Sequence, residues 1–262
     1  MAFSFLISLK PVKNTGLIGF LFILSLGAMG QNRVDEKGRK TGPWKVEYPN
    51  GNTLYEGTFL EGKPVGEMTR YYESGAVRAR ISFGPEDGTS HAELYYKNGK
   101  PAAEGIYRDE QKDSVWTYFS EFDGSVRIRE NYRLGKLNGV SRRYYADGQI
   151  SEEILYDEGV KQGPWTQYYE NGELRLQATY RNDKLEGEYR VWGQESNLLM
   201  EGKYRDGQSE GTWNYYDDEG KLLYSLDYRN GVPSDREKYL KMMQDPLFGA
   251  DSILQARPSQ PF

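Results

Sequence analysis

The chain has no cysteine and a single histidine, His91. A disulfide framework, a thiolate nucleophile, a cysteine zinc site and any catalytic or metal cluster built on several histidines are therefore excluded. Basic runs are missing too: 39 acids face 34 lysines and arginines, for a net charge of −5. Nucleic acid is not an expected partner, because no basic patch is available to displace its counterions. Strong electrostatic binding to anionic lipid is not expected for the same reason. No G-x-S-x-G, P-loop or dinucleotide fingerprint occurs in a strand–turn–helix context. The acidic pairs Glu152-Glu153 and Asp217-Asp218 could imitate a glycosidase dyad, but adjacent residues of a strand point to opposite faces. The expectation is a non-enzymatic chain that needs no cofactor.

Long apolar runs are scarce. The main one, Leu17 to Met29, is shorter than the roughly 20 residues of a spanning helix. It follows Lys10 and Lys13 and ends in Ala28-Met29-Gly30, small residues of the kind a signal peptidase requires. Residues 1–30 are therefore expected to be a signal peptide cut near Gly30/Gln31, sending the chain to the periplasm, the cell surface or the exterior. Losing two lysines and no acid takes the net charge from −5 to −7.

What the chain does have is glycine, tyrosine and a period. It contains 30 Gly and 22 Tyr. Starting positions recur at Gly42, Gly66, Ser90, Ser114, Gly139, Gly163, Gly187 and Gly211, 24 residues apart except for one step of 25, which makes eight copies. Late in every copy stands an aromatic: Phe59, Phe83, Tyr107, Tyr132, Tyr156, Tyr180, Tyr204 and Tyr228. A fixed period of this length marks a repeat architecture. The one extra residue falls at Asp123-Gly124, in a turn, where loops absorb insertions.

Each copy carries a hairpin signal near its middle, such as Asn50-Gly51, Asp147-Gly148, Asn171-Gly172 and, more weakly, Ser196-Asn197. Asn-Gly and Asp-Gly predict type I′ turns, whose two central residues need positive φ. In the strand that follows, Leu174, Leu176, Ala178 and Tyr180 alternate with polar residues, as do Leu222, Tyr224, Leu226 and Tyr228, so one sheet face is apolar. A second turn between copies, as at Glu61-Gly62 and Asn230-Gly231, completes an antiparallel meander. The expected fold is all-β and elongated, with hairpins that contact only their neighbours.

The strand before each turn holds Trp44, Met68, Trp116, Trp165, Tyr189 or Trp213 and then an aromatic pair, for example Tyr71-Tyr72, Tyr95-Tyr96, Tyr144-Tyr145 and Tyr168-Tyr169. Neighbours on a strand face opposite ways. The second members, Tyr72, Tyr96, Tyr145 and Tyr169, are thus expected to be displayed in a row, as a partner-binding face. At the C-terminal end Ser234-Asp235-Arg236-Glu237 fits a capping box. The helix it opens, about 235–244, would lay Leu240 and Met243, with Leu247 and Phe248, over the last hairpin.

The unit from Tyr180 to Gly187, YRNDKLEG, followed by an aromatic, resembles a MORN repeat, and the longer form G-x-W-x-x-Y-Y-x-N-G-x-L resembles the bacterial MORN-repeat-variant family over residues 42–234. That resemblance implies a β-hairpin array used as a binding or spacing scaffold. It also implies kinship with chains often catalogued as toxin–antitoxin antitoxins; for an exported chain the corresponding role is immunity-like, in the envelope. The expected organisation is a signal peptide (1–30), a linker (31–41), the repeat array (42–234), a helical cap (235–256) and a disordered tail (257–262). The partner is another protein; the alternative is cell-wall glycan or muropeptide, held between rings as in choline- or glucan-binding repeats.

Overall fold

The structure, a computed structural model, describes residues 30–84 and 88–245. The expected signal peptide up to residue 29, the tail, and Leu247 and Phe248 lie outside the described residues. Within them are twenty strands and one helix, the expected all-β class with one short C-terminal helix. The chain divides into two units: residues up to Gly99 with Tyr107–Gln111, and Lys100–Ile106 with residues from Lys112 on.

The first unit holds β1 (Arg33–Val34), β2 (Lys40–Glu47), β3 (Thr53–Leu60), β4 (Lys63–Tyr71), β5 (Val77–Phe83) and β6 (Thr89–Tyr95). Each pairs antiparallel with the next, in registers such as Gly42 with Phe59, Met68 with Ile81 and Ile81 with Ala92. β7 (Pro101–Arg108) and β8 (Gln111–Phe119) each contribute to both units.

In the second unit follow β9 (Val126–Arg133), β10 (Lys136–Leu137), β11 (Gly139–Tyr144), β12 (Ile150–Asp157), β13 (Val160–Tyr168) and β14 (Leu174–Arg181). They are succeeded by β15 (Lys184–Leu185), β16 (Gly187–Trp192), β17 (Leu198–Arg205), β18 (Gln208–Tyr216), β19 (Leu222–Arg229), β20 (Val232–Pro233) and α1 (Arg236–Gln244). The pairings are again antiparallel, mostly between sequence neighbours, as in Trp165 with Ala178 and Trp213 with Leu226, while β9 also pairs with β11 and β14 with β16 across the short strands between them.

The mid-copy turns differ from the type I′ expectation. At the Asn-Gly turns only the glycine has positive φ: Gly51 lies at +85° and Gly172 at +84°. The Gly51 N–H donates to the Tyr48 carbonyl, and the Tyr48 N–H to that of Asn52. This is a three-residue loop, a type I turn followed by a left-handed residue. In the seventh copy Ser196 takes the left-handed place at +62°, so the loop sits one residue earlier than Ser196-Asn197. Type I′ geometry belongs instead to the turns between copies, where both residues are left-handed: Glu61 (50°) with Gly62 (84°), and Asn230 (49°) with Gly231 (77°). Two-residue links suit this turn because its twist matches that of the strands.

The apolar face is buried as the alternation requires. Leu176, Ala178 and Tyr180 are buried, and with Trp165, Tyr189, Val191, Met200, Trp213, Tyr215, Leu226 and Met242 they form the core of the second unit. A large side chain on one strand meets a small one on the neighbouring strand. Met68 pairs with Gly57, and Ala92 with Ile81. Trp116 lies on Gly105, and Trp213 on Gly202. Rings on glycine let adjacent strands keep their spacing while an indole fills the layer above them.

The first and last described strands are both covered, and both differ from the expectation in detail. Residues 31–41, expected to be a linker, are ordered against β2. The Asn32 carboxamide donates to the Lys45 carbonyl and accepts from the Lys45 N–H, each at 2.8 Å, and Trp44 Nε1 donates to the Arg33 carbonyl. A side-chain amide thus completes the ladder of an edge strand. At the other end the N-cap is Asp235, not Ser234; its Oδ1 accepts from the Lys238 N–H at 2.9 Å. The buried face differs as well: Met242 is fully buried with Tyr239 beside it, whereas Leu240 and Met243 are exposed. Tyr239 and Met242, three apart, share the face that packs on the last hairpin.

Candidate functional site

The proposed row of tyrosines is built differently from the expectation. Tyr72, Tyr96, Tyr145 and Tyr169 each stand one residue beyond the end of a strand, at the entry to the hairpin loop, and all four are half-buried. Tyr72 Oη donates to the Tyr95 carbonyl at 2.7 Å, Tyr145 Oη to the Tyr168 carbonyl at 2.7 Å, and Tyr169 Oη to the Trp192 carbonyl at 2.8 Å. Tyr48 does the same to Tyr71. Each bond ties one copy to the next, and those of Tyr48, Tyr145 and Tyr169 reach a carbonyl beside a register shift of the following hairpin. Burial raises the hydroxyl pKa of Tyr145 and Tyr169, against the opposing pull of Arg175. Through these hydroxyls Tyr72, Tyr145 and Tyr169 act as struts between copies. The alternation rule failed here because the strand ends before the second tyrosine.

A polar group interrupts the apolar face in the middle copies, at positions that are apolar or small elsewhere. Glu152 stands where other copies have Ala79, Ala103, Ile128, Leu176 and Met200. Its Oε1 accepts from Trp165 Nε1 at 3.0 Å and Gln167 Nε2 at 2.9 Å, and its Oε2 pairs with Arg143 at 2.9 Å. Glu153 turns to the other face and pairs with Arg142 at 2.7 Å, the opposite orientation expected of adjacent strand residues.

One copy earlier, Lys112 Nζ lies 4.7–5.0 Å from the centroids of Trp116, Tyr118 and Tyr132 and donates to Tyr118 Oη at 2.6 Å. Tyr132 Oη donates to Glu130 at 2.7 Å. Burial lowers the Lys112 pKa, opposed by the Glu130 charge, and burial first of all raises that of Tyr118. Lys40 is held similarly by Trp44, Tyr55 and Phe59. These lysines, two residues before the start of a copy, went unremarked in the sequence; only the pairing brings them over rings.

Two further features lie on the second unit. An open polar depression of about 460 Å³ is lined by Glu188, Arg190, Glu201, Lys203, Glu210 and Asn214, among others. The turn lengthened by one residue carries Phe122, 90% exposed. His91 is an exposed strand residue in register with Ser82. Among the described residues no three His, Cys, Asp or Glu side chains gather to hold a metal ion, and no helix is long and apolar enough to cross a membrane.

Tandem hairpins stacked in register, with rings as rungs between copies, define a β-hairpin repeat scaffold. Six segments match the family model described as MORN repeat variant: residues 40–61, 64–83, 90–109, 137–158, 161–182 and 209–230. The chain thus carries MORN-variant repeats. The fourth and seventh copies go unmatched; the fourth carries the inserted residue and opens on Ser114, the seventh closes its loop with Ser196. No curated protein matches the chain. A crystal structure of an S. aureus TarM mutant in complex with Fondaparinux, alpha-GlcNAc-glycerol and UDP, and a crystal structure of TarM, show 11% and 12% identity with a TM-score of 0.22. They cover 55% of this chain, which spans about a fifth of theirs (21% and 20%). A likeness at that score bears on neither fold nor function.

Proposed function

We propose that this chain is an exported, non-enzymatic scaffold that binds another protein in the cell envelope, with an antitoxin or immunity-like role as the narrower version. The observation that carries it is the stacking of successive copies in register. Side chains one copy apart form continuous rows, as the Tyr145 to Tyr168 and Tyr169 to Trp192 bonds illustrate. Rows of this kind suit an extended partner surface better than a small substrate. Export rests on the basic and apolar N-terminal run and its small-residue end. The test is a pull-down of the full chain from envelope extract, with mass spectrometry of the mature N-terminus. Specific capture of one protein by a chain beginning near Gln31 is expected. A chain that begins at Met1 in the cytosol would remove the envelope role.

A second reading, binding of wall glycan or muropeptide, draws on the polar depression between the seventh and eighth copies. Carboxylates, Arg190, Lys203 and Asn214 there offer both acceptors and donors to a polyhydroxylated ligand. A glycan array separates the two readings: saturable sugar binding without protein capture would replace the first by the second.

A further inference from the structure

The fourth copy is one residue longer than the others, and the extra length lies in its hairpin loop, Glu121-Phe122-Asp123-Gly124. The corresponding loops of the later copies read Ala146-Asp147-Gly148, Glu170-Asn171-Gly172, Gln194-Glu195-Ser196 and Asp218-Glu219-Gly220. None of them carries a ring at its tip. Phe122 is 90% exposed, the most exposed of the large apolar side chains among the described residues.

The loop that displays it is braced from every side. The Ser120 N–H donates to the Ser125 carbonyl at 2.9 Å, and the Gly124 N–H to the Ser120 carbonyl at 3.0 Å. Ser120 Oγ, in a buried residue, accepts from the Phe122 N–H at 3.2 Å and the Asp123 N–H at 3.4 Å. Asp123 Oδ1 accepts from the N–H and hydroxyl of Ser125, and its Oδ2 pairs with Arg127 at 3.1 Å. Lys100 Nζ donates to the Phe122 carbonyl itself. An inserted loop held by this many bonds presents its ring with little backbone freedom left to lose, which is the condition for a strong anchor. A lone exposed ring needs no explanation; one lifted out by an insertion and fixed in place does.

The surroundings define what could receive it. The hairpin loops of the fourth to eighth copies lie along one edge, tied together by contacts such as Asn171 Nδ2 to the Gln194 carbonyl. Glu121, Asp147, Glu170, Glu195, Asp218 and Glu219 are all exposed on these loops. Lys221 is the one base between the loop boundaries 120–125, 145–149, 169–173, 193–197 and 217–221. We infer that Phe122 is the anchor of a docking edge that inserts into an apolar pocket of a partner protein bordered by lysines and arginines. This deepens the scaffold reading and rests on it. The rim acids would steer the approach and set its salt dependence, while the ring would set the lifetime of the complex.

The test places p-benzoylphenylalanine, in the full chain expressed in its own cells, at position 122, at position 147 on the neighbouring loop, or at position 153 on the sheet surface. Irradiation is expected to link position 122 to one protein, with the cross-linked residue in an apolar pocket flanked by basic side chains. With that partner purified, Phe122→Ala should weaken binding at least tenfold by raising the off-rate, and Phe122→Leu should recover part of it. Asp147→Lys with Glu170→Lys should slow association and flatten its dependence on salt. Cross-links from 147 or 153 but not from 122, a linked residue on an acidic or flat polar surface, or unchanged affinity for Phe122→Ala would overturn the anchor and leave the scaffold reading standing. An absence of cross-links at all three positions would remove both.

Discussion

The indole of Trp213 lies against the α-carbon of Gly202: a Cβ added there would stand 2.1 Å from Cδ2 of the ring. Gly105 and Trp116 repeat the arrangement at 2.5 Å, while Gly57 and Met68 are looser, the Met68 Cβ lying 3.2 Å from the added atom. Trp213 is held in place, since its Nε1 donates to the Lys203 carbonyl and Tyr204 and Tyr228 meet it edge-on. The ring therefore cannot move aside cheaply. Gly202→Ala is expected to destabilise the second unit by roughly 1–3 kcal/mol, the usual cost of overpacking. In the double variant Gly202→Ala/Trp213→Met the loss should be smaller than the sum of the two singles, because the flexible thioether can make room. Urea titrations of the four proteins measure the coupling, and additive losses would show that ring and glycine do not interact.

This relationship also shows where sequence reading stops. The eightfold period, the aromatic column ending at Tyr228 and the alternation through Leu174, Leu176, Ala178 and Tyr180 are local, and they sufficed for the hairpin meander. That Gly202 must be small because Trp213 is large depends on which residues of successive strands face each other, which no local pattern states. The same holds for Lys112, whose place above Trp116, Tyr118 and Tyr132 appears only when β8 and β9 pair. The turns misled for another reason. Asn50-Gly51 fits a type I′ turn or the left-handed end of a three-residue loop equally well, and the register shift between Val46 and Glu47, which pairs Glu47 with Thr53, selects the second. The full display expected of the tyrosine row turned on an element boundary: with Tyr168 the last residue of β13, Tyr169 no longer obeys strand alternation and is half-buried.

Because Tyr72, Tyr145 and Tyr169 bond the next copy through their hydroxyls, each Tyr→Phe change should remove a bond and leave a partly buried carbonyl short of a donor. A loss of about 0.5–1.5 kcal/mol per site is expected, with near-additive effects for sites in different units. The triple replacement by Ser should go further and unfold a large fraction of the chain, because the ring goes with the hydroxyl. Circular dichroism through thermal melts measures both. A triple Ser variant that melts like the parent would mean that the rings are ornaments of the loops and open again the idea of a displayed row.

The C-terminal helix distinguishes two faces by one residue. Met242 is fully buried, while Leu240 is 46% exposed. Met242→Ala is expected to cost about 2–4 kcal/mol at the end of the array, as large-to-small changes in a core do. Leu240→Ala should cost less than about 0.5 kcal/mol, an ordinary surface change. Hydrogen exchange localised to β19 reads the difference directly: faster exchange of the Leu226 region in the Met242 variant, and no change in the Leu240 variant. Equal effects would place the helix in another rotation.

Buried tyrosines set the behaviour at high pH. Burial pushes Tyr107 and Tyr180 up to about 12, and raises Tyr118, Tyr156 and Tyr189 as well, from an ordinary value of 10.0. Above pH 10 the unfolded chain releases these protons while the folded chain keeps them, so the folded state binds more protons and its stability falls as pH rises. The contribution is fully present below pH 10 and drains away between about 10 and 12. Lys112 works in the opposite sense over a lower window. Its folded pKa is depressed, so stability rises with pH between that value and 10.5. The expected profile is a slight gain on the approach to pH 10, followed by a steep loss, with the tyrosinate absorbance of these buried residues appearing together with unfolding instead of before it. Tyr180→Phe should make the loss shallower by up to about one proton's worth of slope. Tyrosinate absorbance that develops fully near pH 10 in a chain still folded by circular dichroism would show that these hydroxyls are open to water.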